Sequence, residues 1–300
     1  MKAKAVIAAP ILLIIVFLLT WSVSLIPPET LGLDTDPLLS SAIIQLLIIA
    51  LPAVIFCRLR GKGYMGKLRL RGIRASHIAF MIFSLGFLFF GSSGINYLMY
   101  SLFQTASSDF SSAAAPYSGI SGGLYLVFAA AVVPAITEEF LFRGIIVAEY
   151  EEVGVPAAIL MSSLTFAMLH SSFARLPSYI FCGLVLTMVL YTTRSVTAAM
   201  IVHMANNTLS VFFGDFVYKV VSRQGIALFC FTLAALIFLF AILMFGESER
   251  IYAGYAAARA DSSYAEKIKK GHALSGIVQS IVSPPFTALA VLYIIITAVK

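Results

Sequence analysis

The sequence predicts an all-α protein: a polytopic bundle of eight or nine transmembrane helices around an intramembrane polar cavity. Three observations predict it. Of the 300 residues, 60% are hydrophobic and 11% charged, whereas a soluble globular domain is about one quarter charged. Nine apolar runs approach the roughly 20 residues that a helix needs to cross hydrocarbon. Within those runs lie a few carboxylates, imidazoles and an arginine, groups whose burial in lipid costs a few kcal/mol and which therefore mark functional sites. Only helices or closed barrels satisfy the backbone in lipid, and runs this continuous lack the alternation of a barrel.

The runs are 5–27, 37–57, 77–103, 121–148, 155–173, 177–193, 195–214, 225–246 and 276–299. The first follows Lys2 and Lys4 and is longer than the apolar region of a signal peptide, with no small-residue cleavage site, so it reads as an uncleaved helix. The last contains Pro284-Pro285 and is expected to be a kinked helix, or a short span after an interfacial segment. Between the runs, 104–122 reads as a polar loop. Residues 247–272 form the longest charged segment, with Arg250, Arg259, Lys267, Lys269 and Lys270.

Much of the net charge of +6 sits in the run 58-RLRGKGYMGKLRLRGIR-74. Between two spans, such a run points to a cytoplasmic loop beside anionic lipid rather than to nucleic acid. A cytoplasmic N-terminus then places 58–74, 149–153, Arg194 and 247–272 inside, and 104–120 and 215–224 outside. Two features run against this scheme: the acidic Glu149, Glu151 and Glu152 inside, and Lys219 with Arg223 outside. Cys57, Cys182 and Cys230 are scattered, give no disulfide or metal-knuckle spacing, and read as packing residues. His77 and His272 read as ordinary interfacial residues. With no internal repeat, residues 1–300 read as a single membrane domain.

The polar residues inside the runs form an ordered set. Glu138 and Glu139 are adjacent in 131-AVVPAITEEFLFRGIIVAEY-150, and Arg143 follows Glu139 at i+4. Residues four apart share a helical face, so Glu139 can pair with Arg143, and this order of anion before cation is the favourable one. Glu138, rotated by about 100°, is free to face a cavity. His170 follows Phe166 in 164-LTFAMLHSS-172, and His203 shares a face with Asn207 in 201-IVHMANNTL-209. If the fourth and fifth runs form a hairpin at Gly154, Glu138 and His170 each lie 16 residues from the turn, about 24 Å at 1.5 Å per residue.

A glutamate and a histidine sharing one water could strip its proton for attack on a carbonyl, and a His/Asn pair could donate hydrogen bonds to the oxyanion. The set Glu138, His170 and His203 is also the ligand complement of a catalytic zinc site, although no HExxH helix is present. A third reading is a proton or ion relay in a transporter, and a fourth is a purely structural polar cluster. The absence of paired, interrupted segments in matching halves weighs against a transporter.

The ordered motifs EExxxR (Glu138 to Arg143), FxxxH (Phe166 to His170) and HxxxN (His203 to Asn207) resemble the CPBP family, the type II CAAX prenyl protease and bacteriocin-processing family of intramembrane proteases, also called Abi. The resemblance covers about residues 120–212, taken as the motif-bearing core, with 247–272 as a charged cytoplasmic loop. It implies a multi-pass protein of a bacterial cell membrane that hydrolyses peptide bonds in membrane-associated protein or peptide substrates. Glu138 and His170 would activate water, and His203 and Asn207 would form the oxyanion site. Glu139, Arg143 and Phe166 would support them. The resemblance admits both zinc-dependent and metal-free mechanisms. Asn207 completes an oxyanion site better than a metal site, so no cofactor is expected. The alternative from another class is a non-enzymatic immunity or scaffold protein that binds a peptide in the same cavity.

Overall fold

A computed structural model describes residues 2–26, 36–103, 119–257 and 270–299. The described residues form helices and turns, with no strand among them. The helices are α1 (Lys2–Ser24), α2 (Pro37–Gln45), α3 (Leu51–Leu59), α4 (Tyr64–Lys67), α5 (Ile78–Phe103), α6 (Gly119–Val127), α7 (Val133–Glu139), α8 (Val147–Tyr150), α9 (Val155–Leu169), α10 (Leu176–Thr193), α11 (Val196–Gln224), α12 (Ile226–Ala257), α13 (Lys270–Ile281) and α14 (Pro284–Val299). Single π-helical stretches join α2 to α3 (Leu46–Ala50), α6 to α7 (Phe128–Val132) and α7 to α8 (Phe140–Ile146). Gly119–Tyr150 is therefore one long span with two insertions.

Among the described residues, seven helices are long and apolar enough to cross a membrane, or eight if the bent pair α13–α14 is one span. The protein is an integral, multi-pass helical bundle. Its outer surface is apolar, as lipid requires: Phe231 and Phe238 of α12 are 73% and 69% exposed. The interior joins α1, α5, α9, α10, α11 and α14 in one hydrophobic core.

Several expectations change. The run 155–173 is not a full span: α9 is 15 residues long, about 22 Å against roughly 30 Å of hydrocarbon. It ends at His170 because Ser171 takes a left-handed conformation, φ 45°. The bent pair, broken by 59° before Pro284, accompanies it: Gly276 of α13 lies against Val153 at its start, and Tyr293 of α14 meets Phe173 just past its end. The outer loop expected at 215–224 is helical, because α11 continues to Gln224 and stops where Gly225 adopts φ 82°. The expected loop 104–122 is helical from Gly119, and residues 104–118 lie outside the described residues. The charged segment 247–272 begins as the last turns of α12 and ends as the start of α13, while 258–269, with Arg259, Lys267 and Lys269, lies outside the described residues.

The segments assigned to one side do gather at one end of the bundle. Arg60 pairs with Glu149, which also accepts from Tyr64 Oη at 2.7 Å. Arg69 Nη2 meets both oxygens of Glu151 at 2.7 and 2.8 Å, and Lys67 reaches Glu152 at 3.4 Å. The acidic run that disagreed with a basic face is thus its counter-charge. Val196 N donates to Arg69 O at 3.0 Å, and Arg250 Nη2 donates to Ser76 O at 3.0 Å. These contacts bind the α3–α5 connection to α11 and α12. His77 is buried rather than interfacial, with Nε2 3.1 Å from Tyr255 Oη. Cys57 and Cys182 are buried, whereas Cys230 is exposed on the outer surface.

Candidate active site

The glutamate pair sits on α7, about two turns of α-helix held between two π-helical stretches. Such insertions rotate the residues that follow them and recur at functional sites. The two carboxylates diverge as their spacing requires. Glu138 is 5% exposed and lines a cavity of about 360 Å³, whereas Glu139 is fully buried behind it.

Glu139 Oε1 accepts two hydrogen bonds of 2.8 Å, from Arg143 Nη1 and His203 Nδ1. Arg143 Nη2 donates to the Gly183 carbonyl of α10 at 3.0 Å, and the guanidinium lies 4.5 Å over the Phe166 ring. This buried charge is therefore paired, hydrogen-bonded and stacked, which compensates the large desolvation cost of burying it. The close approach of α10 depends on Gly183: a Cβ there would stand 2.7 Å from Ser163 Cα.

Phe166 explains its place in the FxxxH motif. Its ring packs edge-on against His170 at 5.0 Å, His203 at 5.8 Å and Phe142 at 5.4 Å between centroids. His170, at the C-terminal cap of α9, has Nδ1 3.0 Å from Phe166 O. A carbonyl only accepts, so Nδ1 carries a proton, and in the neutral ring Nε2 keeps a lone pair. The opposite face of the His170 imidazole is covered by Tyr179 of α10, stacked at 3.7 Å and 18°.

Glu138, His170, His203 and Asn207 all line the one cavity, with Phe166 in its wall. Glu139 and Arg143 stand behind the wall. Three further residues were not singled out from sequence. Gln45 of α2 places Nε2 3.4 Å from Glu138 Oε1, while its Oε1 lies 3.0 Å from Thr137 Oγ1. Tyr179 holds the His170 ring. Asn206, one residue before the expected asparagine, lines the same cavity, is 7% exposed and leaves Oδ1 without a partner. Its i+3 relation to His203 was a legible signal; for Gln45 there was none.

Among the described residues, no three His, Cys, Asp or Glu side chains are grouped closely enough to hold an ion.

Residues 120–209 match the family model described as type II CAAX prenyl endopeptidase, Rce1-like. The match falls on the segment from α6 into α11 that carries all three motifs, and it names the family those motifs resemble. No curated protein and no solved structure matches the chain significantly.

Proposed function

We propose that the protein is an intramembrane endopeptidase that hydrolyses peptide bonds of membrane-associated protein or peptide substrates, with Glu138 and His170 as the water-activating pair. The observation that carries the reading is the convergence of Glu138, His170, His203 and Asn207 on one cavity inside the helical bundle. The family match over 120–209 supports the reaction class.

The hydrogen bonds support a role for each residue in this reading. A water between Glu138 and His170 meets two acceptors, the carboxylate and the bare Nε2, so both its protons are drawn away and its lone pair is left to attack. The water oxygen bonds to the peptide carbonyl carbon as Glu138 takes a proton, and the carbonyl π electrons move onto oxygen. Asn207, with Asn206 beside it, supplies amide N–H donors to that oxyanion. His203 donates Nδ1–H to Glu139, so Nε2 can donate to the oxyanion only as imidazolium. Glu139 is the counter-charge for that form. Collapse breaks the C–N bond, and the leaving amine takes the proton held by Glu138. No step in this reading passes through a metal.

The basic end of the bundle, with 58–74 and 149–152, is taken as cytoplasmic by the positive-inside rule. The N-terminus of α1 then lies on the same side.

The test is peptidomics of membranes from cells carrying wild type or Glu138→Gln. Under this reading, specific membrane-protein fragments disappear in the variant while its own membrane level is unchanged. Identical peptide profiles, with an intact cellular phenotype, would favour the immunity or scaffold reading.

A further inference from the structure

The active-site cavity is closed toward the basic end of the bundle. Leu186 and His203 form its floor on that side. Each lies seven residues from the basic end of its helix, Thr193 of α10 and Val196 of α11, which is about 10 Å. Below that floor the bundle is solid. Ile145, Ile146, Ala158, Met161, Leu190 and Ala199 are all fully buried in one core.

The other end is open. The cavity reaches Leu38 of α2 and Ala129 of the π-helical stretch before α7. Each stands 21 residues from the basic end of its span, at Leu59 and Tyr150, which is about 30 Å, the thickness of the hydrocarbon. Ser41 in the same wall is exposed, and Leu38, Pro134 and Ser210 are half-buried.

The turn after α9 is an independent sign. It leaves the helix at His170, about 22 Å from the basic end and still within the hydrocarbon. His170, Ser171, Ser172 and Arg175 are only half-buried there. Irregular backbone at that depth persists only where it is buried in protein or lines a water-filled space. This turn is not buried, so water reaches it, and the one end from which it can come is the end away from the basic face.

We infer that substrate and water reach Glu138 from the face opposite the basic end, which the positive-inside rule makes extracytoplasmic. The substrate class is then a peptide segment on that side, either an exported chain or the outer flank of a transmembrane helix. A cytoplasmic tail would have to cross the fully buried layer to reach the same carboxylate. The side follows from charge: residues 58–74 carry seven lysines and arginines and no acidic residue. The nature of the substrate rests on the proposed peptidase reaction, whereas the direction of access does not.

The test is cysteine labelling in intact cells. Cys57, Cys182 and Cys230 are replaced by alanine, and a single cysteine is introduced as Ser41→Cys, Ser210→Cys or Lys62→Cys. Ser41 and Ser210 lie in walls built by different helices, so one position decides if the other substitution impairs folding. A charged methanethiosulfonate that does not cross membranes is added outside the cells. It should modify Ser41→Cys and Ser210→Cys, whereas Lys62→Cys, in the basic loop, should react only after permeabilisation. Labelling needs no catalysis, so it reads access even if the Glu138→Gln comparison shows no cleavage. Where that comparison does yield fragments, they should map to extracytoplasmic segments. Reaction of the folded cavity variants only after permeabilisation or not at all, external reaction of Lys62→Cys, or fragments from cytoplasmic segments overturns the inference.

Discussion

Glu139 Oε1 lies 2.8 Å from His203 Nδ1 while it also accepts from Arg143. One buried oxygen thus ties the EExxxR motif to the HxxxN motif and fixes the histidine's tautomer. The second glutamate is not merely a brace for the arginine that follows it. It is the carboxylate to which Arg143 and His203 both donate.

Removing either charge of the Glu139–Arg143 pair leaves its partner buried and uncompensated. Glu139→Ala or Arg143→Ala should cost about 3–5 kcal/mol, read as a lowered unfolding temperature in detergent. A Glu139→Leu/Arg143→Met double variant should recover most of that stability, since buried pairs can be replaced by apolar groups at little cost. It should remain inactive, because His203 has lost its carboxylate. An active double variant would show that Glu139 matters only for folding.

In the proposed mechanism, Gln45 orients Glu138 as the general base. Its amide donates to Glu138 while its oxygen faces Thr137 Oγ1, an arrangement that holds one side-chain orientation. Gln45→Leu should lower kcat by about five- to tenfold, equivalent to roughly 1 kcal/mol for a long hydrogen bond to a charged group, with KM little changed. A change confined to KM would assign Gln45 to substrate binding instead.

Tyr179 positions His170 through its ring rather than its hydroxyl. Tyr179→Phe should retain near-normal cleavage, while Tyr179→Ala should lose about tenfold. The larger effect follows from losing a stacked pair worth about 0.5–1.5 kcal/mol that also holds the water-activating imidazole. Equal losses in both variants would transfer the role to the hydroxyl.

The donor geometry predicts that catalysis survives removal of divalent metal. Protein purified with a strong chelator should cut at the rate of untreated protein, and elemental analysis should find no stoichiometric zinc. Activity lost to the chelator and restored by zinc would overturn the water-activation scheme.

The sequence revealed most of the bundle because lipid leaves its signature in composition: apolar runs of span length are hard to misread. The Glu139–Arg143 pair was legible for a related reason, since i+4 geometry is local. What escaped the sequence was non-local. Gln45 reaches Glu138 across 93 residues, and Tyr179 looked like one more aromatic in an apolar helix. Glu149, Glu151 and Glu152 seemed misplaced until the fold set Arg60, Arg69 and Lys67 against them. Helix ends were also hidden. Lys219 and Arg223 suggested a loop, yet the backbone remains helical until Gly225. The α9 run looked long enough to span, yet its helix ends at His170.

The most direct test of the central claim is cleavage by purified wild type and Glu138→Gln in liposomes, using a substrate identified by peptidomics. Both proteins should show the same thermal unfolding in detergent. The account predicts that the variant loses at least about 100-fold in rate, the lower range for a general base, with KM nearly unchanged. A folded Glu138→Gln protein cutting at the wild-type rate would contradict it.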